Sequence, residues 1–119
     1  MGASGSGKSA LALQLMAFGA SLVADDRVIL SSAEGLWASA PEQIKDAIEA
    51  RNVGLLNAPA RETTKIDYVV DLDQTETDRL PRARVITLLG QELPLFLKVE
   101  GLHFAPSLMQ LLRAGPMKT

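Results

Sequence analysis

The chain has 119 residues and a formal net charge of −2, and its 12 basic residues are scattered, which argues against nucleic acid as the main partner. At 47% hydrophobic and 22% charged it has the composition of one ordinary globular domain, expected to span residues 1–119. The absence of cysteine excludes a disulfide framework and a thiolate zinc site, and no apolar run reaches the roughly 18 to 20 residues that span a bilayer.

From Gly2 through Ala3, Ser4, Gly5, Ser6 and Gly7 to Lys8 and Ser9, the N-terminal segment fits G-x-x-x-x-G-K-[ST]. Small residues let the amides of a tight loop converge on a polyphosphate, and the helix that follows adds its positive end. Lys8 would reach the β- and γ-phosphates of ATP, and the Ser9 hydroxyl would hold Mg²⁺. A flexible Gly/Ser tail would share the composition, but the next helix begins where the motif requires it. That helix is expected from Lys8 to about Phe18, apolar nearly all round and ended by Gly19. The glycines and Lys8 ahead of it do not make a signal peptide, so the protein reads as cytoplasmic.

A short apolar strand is expected over Ser21–Ala24, closing on Asp25 and Asp26. Neighbouring strand residues point to opposite faces, so one carboxylate can meet the phosphates while the other braces the strand. An Asp near the γ-phosphate could assist Mg²⁺ or accept a hydroxyl proton, although a solvated Asp-Asp turn fits the same residues. Further strands are expected over Arg27–Leu30 and Gly35–Ala38, then a short polar helix over Pro41–Ala50. Val53–Asn57 is short and apolar. Lys65–Leu72 alternates as a strand, Asp73–Pro81 is a polar loop, Ala83–Leu89 and Leu93–Lys98 are strands, and Pro106–Arg113 is a closing helix. His103 reads as an edge or core residue without a chemical role, and Trp37, Tyr68, Met109, Leu111 and Leu112 as packing residues. The order describes a mixed α/β domain.

The loop pattern followed by Leu22-Val-Ala-Asp-Asp-Arg-Val28 resembles the C-terminal domain of the HPr kinase/phosphorylase family. Ser9 and Asp26 stand seventeen positions apart, as in that family. Glu49-Ala-Arg51-Asn-Val-Gly-Leu-Leu-Asn57 matches its E-I-R-G-x-G-I-I-x segment, with Ala50 and Asn52 as departures. Thr77-Asp-Arg79-Leu matches its x-D-R-L loop, and beyond Arg84 the likeness fades. The short intervening segments resemble the compact forms of alphaproteobacteria.

The resemblance implies a P-loop kinase domain of the HPr kinase/PEP carboxykinase-like type, a mixed β-sheet with flanking helices. It implies transfer of phosphate from ATP to a serine of HPr, the small phosphocarrier of the sugar phosphotransferase system, and reversal by inorganic phosphate with release of pyrophosphate. By resemblance, Asp26 is the base and acid, Lys8 steadies the transferring phosphate, Ser9 and Glu49 hold Mg²⁺, and Arg79 stabilises transition-state charge. A hexameric ring is implied in the same way. On residues alone, Glu49 and Arg51 could be a solvated charge pair and Arg79 a plain surface residue. Ala10 stands where the family often has Glu, and Lys98-Val-Glu-Gly101 matches poorly the family segment tied to dephosphorylation. The family also has a strand before the loop and a histidine upstream, so the reading frame is expected to continue ahead of Met1. The competing reading is a non-catalytic nucleotide-binding regulator that keeps the loop; a generic small-molecule kinase is disfavoured by the Glu49 and Arg79 segments.

Overall fold

The protein, seen in a computed structural model, is described over residues 1–42 and 45–117. Helix α1 (Lys8–Ala17) opens at Gly7, whose φ of 100° lies in the left-handed region. An added Cβ there would meet no atom within 4 Å, so the conformation, not the space, calls for glycine. The amides of Phe18 and Gly19 close the last turn on the carbonyls of Leu15 and Met16.

Eight strands follow: β1 (Ile29–Ser32), β2 (Leu36–Ser39), β3 (Ala47–Ala50), β4 (Gly54–Asn57), β5 (Thr64–Lys65), β6 (Val69–Thr75), β7 (Val85–Leu88) and β8 (Gln91–Lys98). Helix α2 (Phe104–Ala114) ends the fold. Strands β1, β2 and β5 form one antiparallel sheet, and β3 and β4 a hairpin. In the third sheet β8 lies between β6, its parallel partner, and β7, its antiparallel one.

Two apolar clusters join these pieces. Leu36, Val69 and Leu93 are buried together, with Ile66, Ile86, Leu88 and Leu95 against them. Leu22, Ile48 and Ala58 form the second cluster, onto which α1 lays Ala12, Leu13 and Met16. Ile48, at 1% exposure, is thus the contact that seats α1 against β3. Met1 lies alongside β6: its amine donates to the Val70 carbonyl and its own carbonyl accepts from the Leu72 amide.

Several elements depart from expectation. Ser21–Ala24 is not a strand; Leu22 is buried by Ile48 and Ala58 without a β-ladder, its carbonyl accepting from the Arg61 amide. A four-residue apolar run reports burial and does not decide the backbone. The expected helix over Pro41–Ala50 is replaced at its end by β3, with Gln43 and Ile44 outside the described residues. Ile48 and Ala50 are buried while Glu49 between them is exposed, a period of two, and the ladder with β4 overrides the helix propensity of Ala and Glu. Asn52, with φ of 67°, sits in the turn between the two strands. The single strand Lys65–Leu72 divides, because Thr64–Lys65 pairs with β2 whereas β6 pairs with β8 and continues to Thr75 through an irregularity after Asp71. His103 is neither edge nor core: it is exposed at the start of α2, its carbonyl accepting from the Ser107 amide and hydroxyl.

The loop between β6 and β7 is closed at its neck. Arg84 donates from Nε and Nη2 to the two carboxylate oxygens of Glu76, each at 3.0 Å. That forked pair, led by the hydrogen bonds from Arg84, holds the Glu76 carboxyl below its ordinary value of 4.5.

Two tests follow from this packing. Ile48→Ala should cost about 2–5 kcal/mol in urea denaturation, whereas Leu55→Ala on the exposed side of β4 should stay within about 0.5 kcal/mol. Glu76 is depressed in the folded state, so its contribution is full above its ordinary value and is lost as pH falls through the folded one. The stability gap between wild type and Glu76→Gln should therefore narrow in acid; a gap independent of pH would contradict it.

Candidate functional site

Four segments meet at one cleft of about 240 Å³: the glycine-rich loop, the first turn of α1, the Asp25–Asp26 turn and the end of β3. Ser4, Gly5, Gly7, Lys8 and Ser9 line it from the loop side, and Asp25, Asp26, Glu49 and Arg51 from the other. The segments are brought together by Asp25. Its Oδ1 accepts from the Ser9 hydroxyl at 2.6 Å and its Oδ2 from the Glu49 amide at 2.8 Å. One carboxylate thus joins α1 to β3, and both of its oxygens are occupied.

Asp26 is exposed and has φ of 64°, an uncommon backbone conformation that Asp tolerates better than most residues. Among the described residues its carboxylate has no protein partner. The two acids do not divide between the faces of a strand, because no strand forms there; the turn puts both on the cleft. The backbone outlier directs Asp26 differently from Asp25, as strained residues at functional sites often do.

The loop itself is tightly wound. The Lys8 ammonium donates to the Gly2 carbonyl at 2.7 Å, and the Ser6 amide to the Ala3 carbonyl at 3.1 Å. A Cβ at Gly2 would stand 2.5 Å from Ser6 Oγ and 3.3 Å from Leu72 Cβ, so a larger residue there would force Ser6 to turn away. The Ala3 amide donates to both oxygens of Asp73, at 3.0 and 2.9 Å. Gly2, Ala3 and Ser6 are therefore on the β6 side of the loop and do not line the cleft.

The cleft carries the cations Lys8 and Arg51 and the carboxylates of Asp25, Asp26 and Glu49. Among the described residues no three acidic or histidine side chains converge as a self-sufficient metal cage. Mg²⁺ commonly takes one or two protein oxygens and completes its shell with phosphates and water. Ser9 and Glu49 supply hard oxygen donors of the right kind.

Lys8, Ser9, Asp26 and Glu49 are thus brought together as expected, with Glu49 on a strand and not at a helix end. Arg79 is not: it is exposed on the loop clamped by Glu76 and Arg84 and does not line the cleft. Arg51, which on residues alone reads as half of a solvated charge pair with Glu49, lines the cleft from the turn just after β3. Its place follows from the tight β3–β4 hairpin, which a helical reading of the segment does not contain. Asp73 likewise carries no signal of its own, because it opens a segment that reads as a polar loop.

The profile of the HPr Serine kinase C-terminal domain matches residues 1–94. The HPr kinase/phosphorylase of Brevibacillus brevis is 39% identical over 89 residues, covering 67% of this chain and 29% of that protein. That of an Azoarcus species is 50% identical over 58 residues, 47% of this chain and 18% of the other. The chain thus spans about three tenths of the length of the first curated relatives it matches. The solved Hpr(Ser) kinase/phosphatase of Coxiella burnetii superposes with a TM-score of 0.78 over 95% of this chain and 78% of that one, at 21% identity, and so shares its fold. With the family profile covering both the loop and the Glu49 segment that share the cleft, the chain belongs to the HPr Serine kinase C-terminal domain family.

Proposed function

We propose that the cleft binds Mg²⁺–ATP and phosphorylates a serine of HPr in the cytoplasm, with the reverse reaction using inorganic phosphate at the same site. The observation that carries this reading is the meeting of Lys8, Ser9, Asp26 and Glu49 on one cleft, from segments far apart in sequence. The domain is read as a single unit over residues 1–119, assembling with copies of itself as the resemblance implies.

Phosphoryl transfer asks for positioning and charge neutralisation more than for covalent chemistry. Gly5, Gly7 and the start of α1 present amides to the polyphosphate, and Lys8 exchanges the Gly2 carbonyl for phosphate oxygens. Ser9 and Glu49 would hold Mg²⁺, which supplies charge neutralisation at the phosphates. Asp25 fixes the Ser9 hydroxyl and keeps Glu49 at the cleft through its backbone. Asp26, with its carboxylate uncommitted, takes the proton of the serine hydroxyl as the serine oxygen bonds to the γ-phosphorus and the bond to the β-phosphate oxygen breaks. In reverse, phosphate oxygen attacks the phosphoserine phosphorus, pyrophosphate forms, and Asp26 returns the proton to serine. Arg79 is assigned to transition-state charge through the resemblance alone; Arg51 is the arginine that lines the cleft and can share that task.

Two experiments test this. Calorimetry with Mg²⁺–ATP should show Lys8→Ala binding about 10- to 100-fold more weakly, the worth of a charge-assisted bond to phosphate; equal affinity would refute the phosphate role of the loop. With purified HPr and labelled ATP, Asp26→Asn should slow transfer by about 10²- to 10⁴-fold while ATP affinity changes little. Asp25→Asn should act differently, lowering both Mg²⁺–ATP affinity and the melting temperature, because an amide cannot accept at both Ser9 and Glu49. ATP binding without any transfer to HPr would instead mark a nucleotide-binding regulator.

A further inference from the structure

Asp71 is the buried charged side chain of the described residues, at 6% exposure, and it takes no part in the cleft. Its Oδ1 accepts from the Asp73 amide and its Oδ2 from the Gln74 side chain, both at 2.9 Å. These bonds, the one from the Asp73 backbone foremost, hold the Asp71 carboxyl below its ordinary value of 3.8. The ladder between β6 and β8 is interrupted between Asp71 and Thr75, so the backbone at Asp73 is not held by strand pairing. The bond to Asp71 takes that place. Asp73 in turn places both carboxylate oxygens on the Ala3 amide, at 3.0 and 2.9 Å.

We propose that Asp73, itself set by Asp71, is a positioning residue that anchors the N-terminal shoulder of the phosphate loop to the end of β6. Gly2 and Ala3 form the stretch where the chain leaves the side of β6, against which Met1 lies, and turns into the loop. The Met1 carbonyl is bonded to the Leu72 amide on one side of this stretch, and the Ser6 amide to the Ala3 carbonyl on the other. The Ala3 amide is held by Asp73 alone between these two fixed points. Holding it there fixes the Ala3 peptide plane, and with it the direction in which the Ala3 carbonyl meets Ser6. The carboxylate approaches the loop from the β6 side, away from the cleft, so it constrains the amides from behind without occupying the phosphate side.

The consequence for nucleotide rests on the function proposed above; the anchoring itself does not. Anchoring through an accepted hydrogen bond makes a distinctive prediction, because asparagine keeps one acceptor oxygen while alanine keeps none. In the full chain, amide hydrogen exchange followed by NMR should be about tenfold faster at Ala3 in Asp73→Ala than in wild type, and close to wild type in Asp73→Asn. Asp71→Ala should accelerate the same amide through the released Asp73 backbone. Unchanged exchange at Ala3 in Asp73→Ala overturns the inference whatever the protein binds. Calorimetry with Mg²⁺–ATP is the second readout. Asp73→Ala should bind about tenfold more weakly and Asp73→Asn within about threefold of wild type, with melting temperatures recorded to separate loop disorder from unfolding. If asparagine harms binding as much as alanine, the carboxylate acts by its charge or as a metal ligand, and the positioning role fails. If wild type binds no ATP, the proposed function falls, while the exchange measurement still decides the anchor.

Discussion

The arrangement depends on one carboxylate with two acceptors in use. Asp25 receives the Ser9 hydroxyl on one oxygen and the Glu49 amide on the other, so the helix that follows the phosphate loop is tied to the strand that carries Glu49. The apolar contact beneath it does the coarse work: Ile48, the residue before Glu49, is buried against Leu22, Ala58 and the inner face of α1. Hydrophobic packing has no direction, whereas the two hydrogen bonds to Asp25 fix one geometry of α1 against β3. A half-buried carboxylate with both oxygens satisfied is a stable way to do this, because removing either donor would leave charge uncompensated.

The same economy explains why two adjacent acids differ. Asp25 has both oxygens engaged, whereas Asp26 has no protein partner among the described residues and is exposed on the cleft. Asp26 also has a positive φ, a backbone conformation uncommon for a residue with a side chain. Neighbours of identical chemistry are thus set in different surroundings by the fold, one tied to two segments and the other open to the cleft.

The loop, α1 and the later strands were legible because their signals are local: glycines where tight winding is needed, a helix directly after, and apolar alternation in β7 and β8. The β3–β4 hairpin was not, since Ala47–Ala50 has helical composition and becomes a strand only by pairing with β4. Arg51 is illegible for the same reason, because its place beside Glu49 follows from the turn that joins the two strands. Asp25 and Asp26 were legible as a pair but not as individuals; no spacing distinguishes them. Asp73 was illegible for a different reason. Its partner is an amide 70 positions away, and backbone amides carry no residue identity to be read.

Arg79 shows where local pattern and spatial arrangement part. Its x-D-R-L context marks it as functional by resemblance, yet its loop stands apart from the cleft lining, with its neck held by the forked pair of Glu76 and Arg84. Glu76 is further tied to β8, its amide donating to the Lys98 carbonyl, and the Arg84 carbonyl accepts from Leu95. Both ends of the loop are therefore anchored on β8 while its tip, with Leu80 88% exposed, is free of the core. Lys8 and Arg51 line the cleft, whereas Arg79 lies on a loop whose two ends are held at β8 and whose tip is solvated, so the family pattern around Arg79 is not matched by a place in the cleft lining.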